Sequence, residues 1–146
     1  MHAMRNLVRQ YSTAGMCAAA ILLAGCAALG MGGGVKVSLS GAQEVPPVST
    51  EALGSGTIKI GEDHSVCGSV TTSGVAGVAA HIHMGAMGKN GPVIVPLKKT
   101  GDNKWSVPEG AKLTDAQYAA YQAGDLYINV HSAAHKGGEI RGQLKP

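Results

Sequence analysis

Apolar and polar positions alternate along most of the chain from Val35 onward. Val35, Val37 and Leu39 interleave with Lys36 and Ser38, a period of two that marks a strand with one buried face. Further strands are predicted at 57–60, 65–70, 75–84, 93–97, 104–107, 126–131 and 139–144, and each gap carries Gly, Asn, Asp or Pro. Glu44-Val45-Pro46-Pro47-Val48 does not suit a central strand, because proline brings no N–H to the ladder, and it reads as an edge or turn. One helix is expected, with Thr114 as N-cap and Gln117 closing a capping box. Tyr118 and Tyr121 share its face, and Gly124 ends it. No internal repeat is evident. Seven or eight short strands with one short helix predict an all-β fold, an antiparallel Greek-key-like β-sandwich.

Strand parity then sorts side chains onto faces. In the 75–84 strand Val78, Ala80 and Ile82 form the core set, so His81 and His83 project from the other face. In the 126–131 strand Leu126, Ile128 and Val130 point inward, leaving Tyr127, Asn129 and His131 outward. Val66 and Val70 are inward, Cys67 and Ser69 outward, and Glu139 and Arg141 flank inward Ile140. A hairpin turning at Thr71-Thr72-Ser73-Gly74 would set Cys67 opposite His81, with Cβ atoms about 5 Å apart. One outer face would then collect Cys67, His81, His83 and His131, with His135 just beyond in a loop.

Composition supports the strand reading. With 22 glycines in 146 residues, no Phe and 14% charged residues, the chain lacks the material of a helical bundle, while 45% apolar content excludes a disordered one. Residues 1–25 read as an export signal: Arg5 and Arg9 precede an apolar stretch too short to span a bilayer. Leu23-Ala24-Gly25-Cys26 is similar to a bacterial lipobox, which would leave Cys26 as a lipid-modified N-terminus. The alternative is an ordinary secretory signal. Ala27 resembles the outer-membrane sorting pattern, so the expected location is the periplasmic side of the outer membrane, lipid-anchored. Residues 26–34 are a glycine-rich tether and residues 35–146 the domain. The net charge of +3 falls to +1 when Arg5 and Arg9 leave, and no basic patch remains for nucleic acid.

Removing the signal discards Cys17, and a lipid would occupy Cys26, which leaves Cys67 as the thiol of the domain in a compartment that favours disulfides. Such a thiol is buried, paired between chains, or bound to metal. Imidazole and thiolate together suit copper or zinc and not magnesium or calcium. Copper, as Cu(I) or Cu(II), is the expected cofactor and zinc the lesser alternative, with His81, His83, His131 and Cys67 as ligands and His135 a further candidate. Met84 and Met87 offer thioethers to Cu(I), or pack as gap fillers. His64, beside Glu62-Asp63, is expected to be solvated. Arg141, the one arginine of the processed chain, is either half of a Glu139–Arg141 pair or an anion guide beside the metal.

Gly41-Ala42-Gln43-Glu44-Val45-Pro46-Pro47-Val48, His81-Ile82-His83-Met84-Gly85, Gly88-Lys89-Asn90-Gly91-Pro92-Val93, Ala123 through His131, and Gly138-Glu139-Ile140-Arg141-Gly142-Gln143-Leu144 together resemble the CHRD (chordin) domain over about 35–144. That resemblance implies an antiparallel β-sandwich and says little about activity; the family name comes from animal proteins that bind signalling factors. A second resemblance is to copper/zinc superoxide dismutases, in which a His-x-His strand and a later Val-His strand build a copper site. It implies copper ligation by His81, His83 and His131 and an anion-guiding role for Arg141. It lacks a histidine after Gly91-Pro92, where that enzyme keeps its bridging ligand. Three functions follow: a tethered copper-binding protein for copper handling or electron transfer, a metal-free adhesion or protein-interaction module, and a dismutase-like enzyme. A homodimer sharing the outer face and an unidentified protein partner are open alternatives.

Overall fold

The structure is a computed structural model that describes residues 33–146. The segment read as an export signal, Cys26 and most of the expected tether lie outside the described residues. Period-two segments become strands: β1 (Val35–Ser40), β2 (Leu53–Ile60), β3 (Val66–Ser73), β4 (Gly77–Met84), β5 (Val93–Pro96), β6 (Lys98–Gly101), β7 (Lys104–Ser106), β8 (Leu126–Ser132) and β9 (Ile140–Leu144), with one α-helix, α1 (Asp115–Gln122), and a 3-10 turn at Gly41–Gln43. All pair antiparallel in a single sheet of order β5-β4-β8-β9-β1-β2-β3-β7-β6. Its outermost strands, β5 and β6, are joined through Leu97, whose N–H donates to the Ala80 carbonyl at 2.9 Å. Lys99 Nζ reaches the Gly77 carbonyl at 2.9 Å from the same side. The sheet therefore curls round until it nearly closes, giving a barrel-like sandwich in which last strand β9 lies beside first strand β1.

The core fills the interior of that curl. Val37, Leu39, Ile58, Val66 and Val70 meet Ile82, Leu126, Ile128, Val130, Ile140 and Leu144 across it, and Trp105 of β7 joins them, all buried. Each aliphatic side chain fully withdrawn from water contributes about 1.5–3 kcal/mol. Helix α1 has the expected start: Gln117 N–H donates to Thr114 Oγ1 at 3.3 Å and Thr114 N–H to Gln117 Oε1 at 2.9 Å. His64 is not simply solvated. Its ring stacks on Tyr118 of α1, centroids 4.3 Å apart at 18°, and its Nδ1 lies 3.4 Å from Asp115 Oδ1, pinning the β2–β3 turn to the helix.

Three departures from the sequence expectation have local causes. Strand β6 carries no alternation because all four of its residues are exposed at the sheet's end. Val78 is 63% exposed instead of buried. Between Gly77↔Ser132 and Ala79↔His131 it is the extra residue of a β-bulge, and a bulge breaks parity. The hairpin at Thr71–Gly74 does not form. β3 pairs with β2 and β7, β4 with β8 and β5, so the short link crosses between layers and the assumed register vanishes.

Candidate metal centre

Strands β4 and β8 run side by side in the register Ala79↔His131, His81↔Asn129 and His83↔Tyr127. Directly opposed residues share a face, so His81, His83, Tyr127, Asn129 and His131 stand together. One ligand nitrogen from each of His81, His83 and His131 lies within 4.8 Å of the others, the one such group of His, Cys, Asp or Glu among the described residues. Their partners fix the tautomers. His83 Nδ1 sits 2.9 Å from the Gly91 carbonyl and His131 Nδ1 2.9 Å from the Lys136 carbonyl. A carbonyl only accepts, so both Nδ1 atoms carry the proton and both Nε2 atoms keep a lone pair. His81 Nδ1 lies 3.0 Å from His131 Nε2 and donates to it. His83 Nε2 is buried with no partner. For all three rings to face one ion, His81 moves its proton to Nε2, and the outer carbonyls hold the other two as they are. The set fits a late transition metal with imidazole affinity.

The electrostatics suit that use. Burial lowers the pKa of His81, and the charges of His131 and His83 lower it further. Burial likewise lowers that of His83, against a bond to Gly91 that raises it. Neutral imidazoles whose lone pairs can turn to an ion are what a metal requires.

The face itself is not the open, wet surface that parity alone suggests. Tyr127, Asn129 and Arg141 are all under 4% exposed. Two segments cover them, those containing Gln43-Glu44-Val45 and Gly85 to Pro92. Arg141 donates to the Ala86 carbonyl at 3.2 Å, to Asn90 Oδ1 at 3.4 Å and to Gln143 Oε1 at 3.2 Å. Its guanidinium lies 3.4 Å from the centroid of Tyr127, and that ring stacks parallel to His83 at 4.8 Å. Asn90 Nδ2 donates to the Val45 carbonyl at 2.8 Å, tying one covering segment to the other. Gln143 Nε2 donates to the Gly85 and Gly124 carbonyls, both at 2.9 Å.

Several candidate residues are therefore reassigned. Arg141 is no anion guide: it is 1% exposed, and its donors hold the covering loop. Nor does it pair with Glu139, which accepts from Thr50 Oγ1 at 2.9 Å and is held below the usual carboxylate range by hydrogen bonds from Ser132 and Thr50. Cys67 pairs opposite Lys59 on β3, away from the histidine strands, and its sulfur is in a disulfide. It is not a ligand of this cluster, because the hairpin that would have brought it there does not exist. The other cysteines, Cys17 and Cys26, lie outside the described residues. His135 is outside the three-histidine group as well; its backbone caps the turn after β8, donating to Ser132 Oγ at 3.1 Å. Met84 packs against the core, whereas Met87 is 61% exposed.

Residues missed as members of the site are Glu44 and Asn90, together with the Gly91 and Lys136 carbonyls, whereas Tyr127 stands on the histidine face where strand parity put it. Gly91 is required there, since a Cβ would overlap the Met84 carbonyl. Gly91→Ala should push the loop off His83 and weaken metal binding about 10–100-fold, the range for outer-shell partners, measured by competition with a chromophoric chelator.

Glu44 is buried, and that burial raises its pKa to about 7 against the opposing pull of Arg141 and Asn129. A carboxyl that holds its proton longer when folded stabilises the protein below its unfolded value of 4.5, and loses that contribution as pH rises through about 7. The difference is on the order of 3 kcal/mol. Glu44→Gln should accordingly gain in Tm over the parent as pH goes from 5 to 8, read by differential scanning calorimetry of the metal-free proteins.

No curated protein and no solved structure matches the chain. Residues 35–144 do match the CHRD domain, the span that holds all nine strands, both covering segments and the three histidines, and the chain belongs to the CHRD domain family.

Proposed function

We propose that this protein binds one transition-metal ion, copper by preference and zinc as the alternative, on His81, His83 and His131. The observation that carries the reading is the cluster itself: three imidazole nitrogens within 4.8 Å, two with tautomers set by carbonyls. Copper handling in the periplasm is the role we infer, with a lipid tether at Cys26 only where Cys26 is not the disulfide partner of Cys67. The burial of Arg141 speaks against dismutase-like steering of an anion.

The test is metal stoichiometry and the optical spectrum of the purified protein after loading with Cu(II) and desalting. About one copper per chain is expected, without a strong thiolate-to-copper band, and Cys67→Ser should retain it. A thiolate band lost in Cys67→Ser would restore the mixed His/Cys site. No retained copper or zinc would sink the metal reading and leave an interaction module. In the processed chain Cys26 is the one cysteine besides Cys67. A lipid on Cys26 and an intrachain disulfide at Cys67 are thus alternatives, distinguished by the intact mass of the membrane-extracted protein with and without reductant.

A further inference from the structure

Two acids are buried in the layer over the histidine face. Glu139 is satisfied by Thr50 and Ser132. Glu44 is satisfied only in part: Asn129 and the Val45 backbone hydrogen-bond its carboxyl, but its Oε1 is shut off from solvent and has no hydrogen-bond partner. Asn129 Oδ1 and His83 Nε2 are in the same condition. The three come from three different elements yet form one line. The Asn129 side chain hydrogen-bonds toward Glu44 on one side and lies beside His83 on the other. Gly138 shows how close the first pair is, for a Cβ there would strike both Glu44 Oε1 and Asn129 Nδ2. Three buried acceptor atoms without a donor are an unusual cost in a folded protein, and positive charge is what answers them.

The fixed charges point the same way. Arg141 faces Glu44 from β9, and its charge already lowers the basicity of His83. A divalent ion on three neutral imidazoles would add two more positive charges to a layer that holds this guanidinium. Burying that much charge of one sign is costly unless an anion accompanies it.

Resting on the metal reading above, we propose that Glu44 is the internal counter-charge of the histidine centre, which as a carboxylate favours a divalent over a monovalent ion. Coulomb attraction scales with the charge of the ion, so the preference follows from charge alone. Burial leaves Glu44 titrating at about 7, so a cation arriving nearby decides its state. Uptake of a divalent ion near neutral pH then releases the Glu44 proton to solvent, and the charge of the buried layer rises by one instead of two. Facing Glu44 are Arg141 from β9, Asn129 from β8 and the backbone at Val45.

The experiment compares affinities for Zn(II) and Ag(I) by competition titration at pH 8.0 and 5.5, in the parent protein, Glu44→Gln and Glu44→Asp. At pH 8.0 Glu44→Gln should lose about a hundredfold in Zn(II) affinity and about tenfold in Ag(I) affinity. At pH 5.5, where Glu44 is protonated before metal arrives, both losses should shrink to a few-fold or less. Glu44→Asp keeps the charge and should hold the Zn(II)/Ag(I) ratio within a few-fold of the parent. Equal losses for both ions, no losses, or an Asp variant that behaves like Gln would overturn the counter-charge role while the parent's binding keeps the metal centre. A parent that binds neither ion would overturn both.

Discussion

His131→Ala is expected to abolish metal retention while leaving the fold intact. His131 meets the other two histidines from β8, Nε2 3.0 Å from His81 Nδ1, while its own Nδ1 is held by the Lys136 carbonyl. Removing it leaves two nitrogens from neighbouring positions of a single strand. The loss should exceed the roughly 10–100-fold attached to outer-shell partners, since a ligand goes and not its support. His131 is only half-buried, so Tm of the metal-free protein should shift by a few degrees at most. The parent should gain about 2.7 kcal/mol of stability when the metal stands at a hundred times its Kd. Thermal melts with and without metal therefore read the effect directly: a shift in the parent and none in the variant. A variant that still melts higher with metal would place the ion elsewhere.

Arg141→Met should have the largest effect on stability. The arginine is 1% exposed and holds the Gly85 to Pro92 segment through Ala86 and Asn90, while also bonding Gln143 of β9 and lying over Tyr127 of β8. Methionine fills part of the volume and supplies none of the donors. Breaking a buried charged network by removing one partner costs about 3–5 kcal/mol, or a fall in Tm on the order of 10 °C or more for a domain of this size. Denaturant melts should show it as a lower midpoint with little change in slope. Arg141→Lys should recover little, because one ammonium cannot serve two loop acceptors and an aromatic face together. A variant that melted with the parent would mean that the covering segments hold the face without it.

The strand alternation that located the histidines was correct where the ladder is regular. Ala80 and Ile82 are buried on β4, Leu126, Ile128 and Val130 on β8, and the histidines stand on the opposite side. It failed at Val78, where a bulge inserts one residue, and it passed over β6, whose four residues are all exposed. Cys67 was misplaced for a different reason. A short glycine-bearing link between strands resembles a hairpin turn in sequence, yet nothing local says whether the strands pair or part. Arg141 and Glu44 were legible only as motif residues. Their burial comes from contacts about fifty and about a hundred positions apart along the chain: Asn90 touches Arg141, and Arg141 in turn faces Glu44.

By itself the sequence determined the all-β class, the capped helix and the side of each strand on which the histidines lie, because these depend on neighbours one to four residues apart. Tertiary structure alone decided that the histidine face is roofed and that Cys67 stands away from it. It also decided that the one arginine of the domain is locked inside and that one carboxyl oxygen of Glu44 is buried without a partner. Those outcomes depend on which strand edges meet and which loops fold back over them. Such contacts join residues far apart in the chain, and no local period records them.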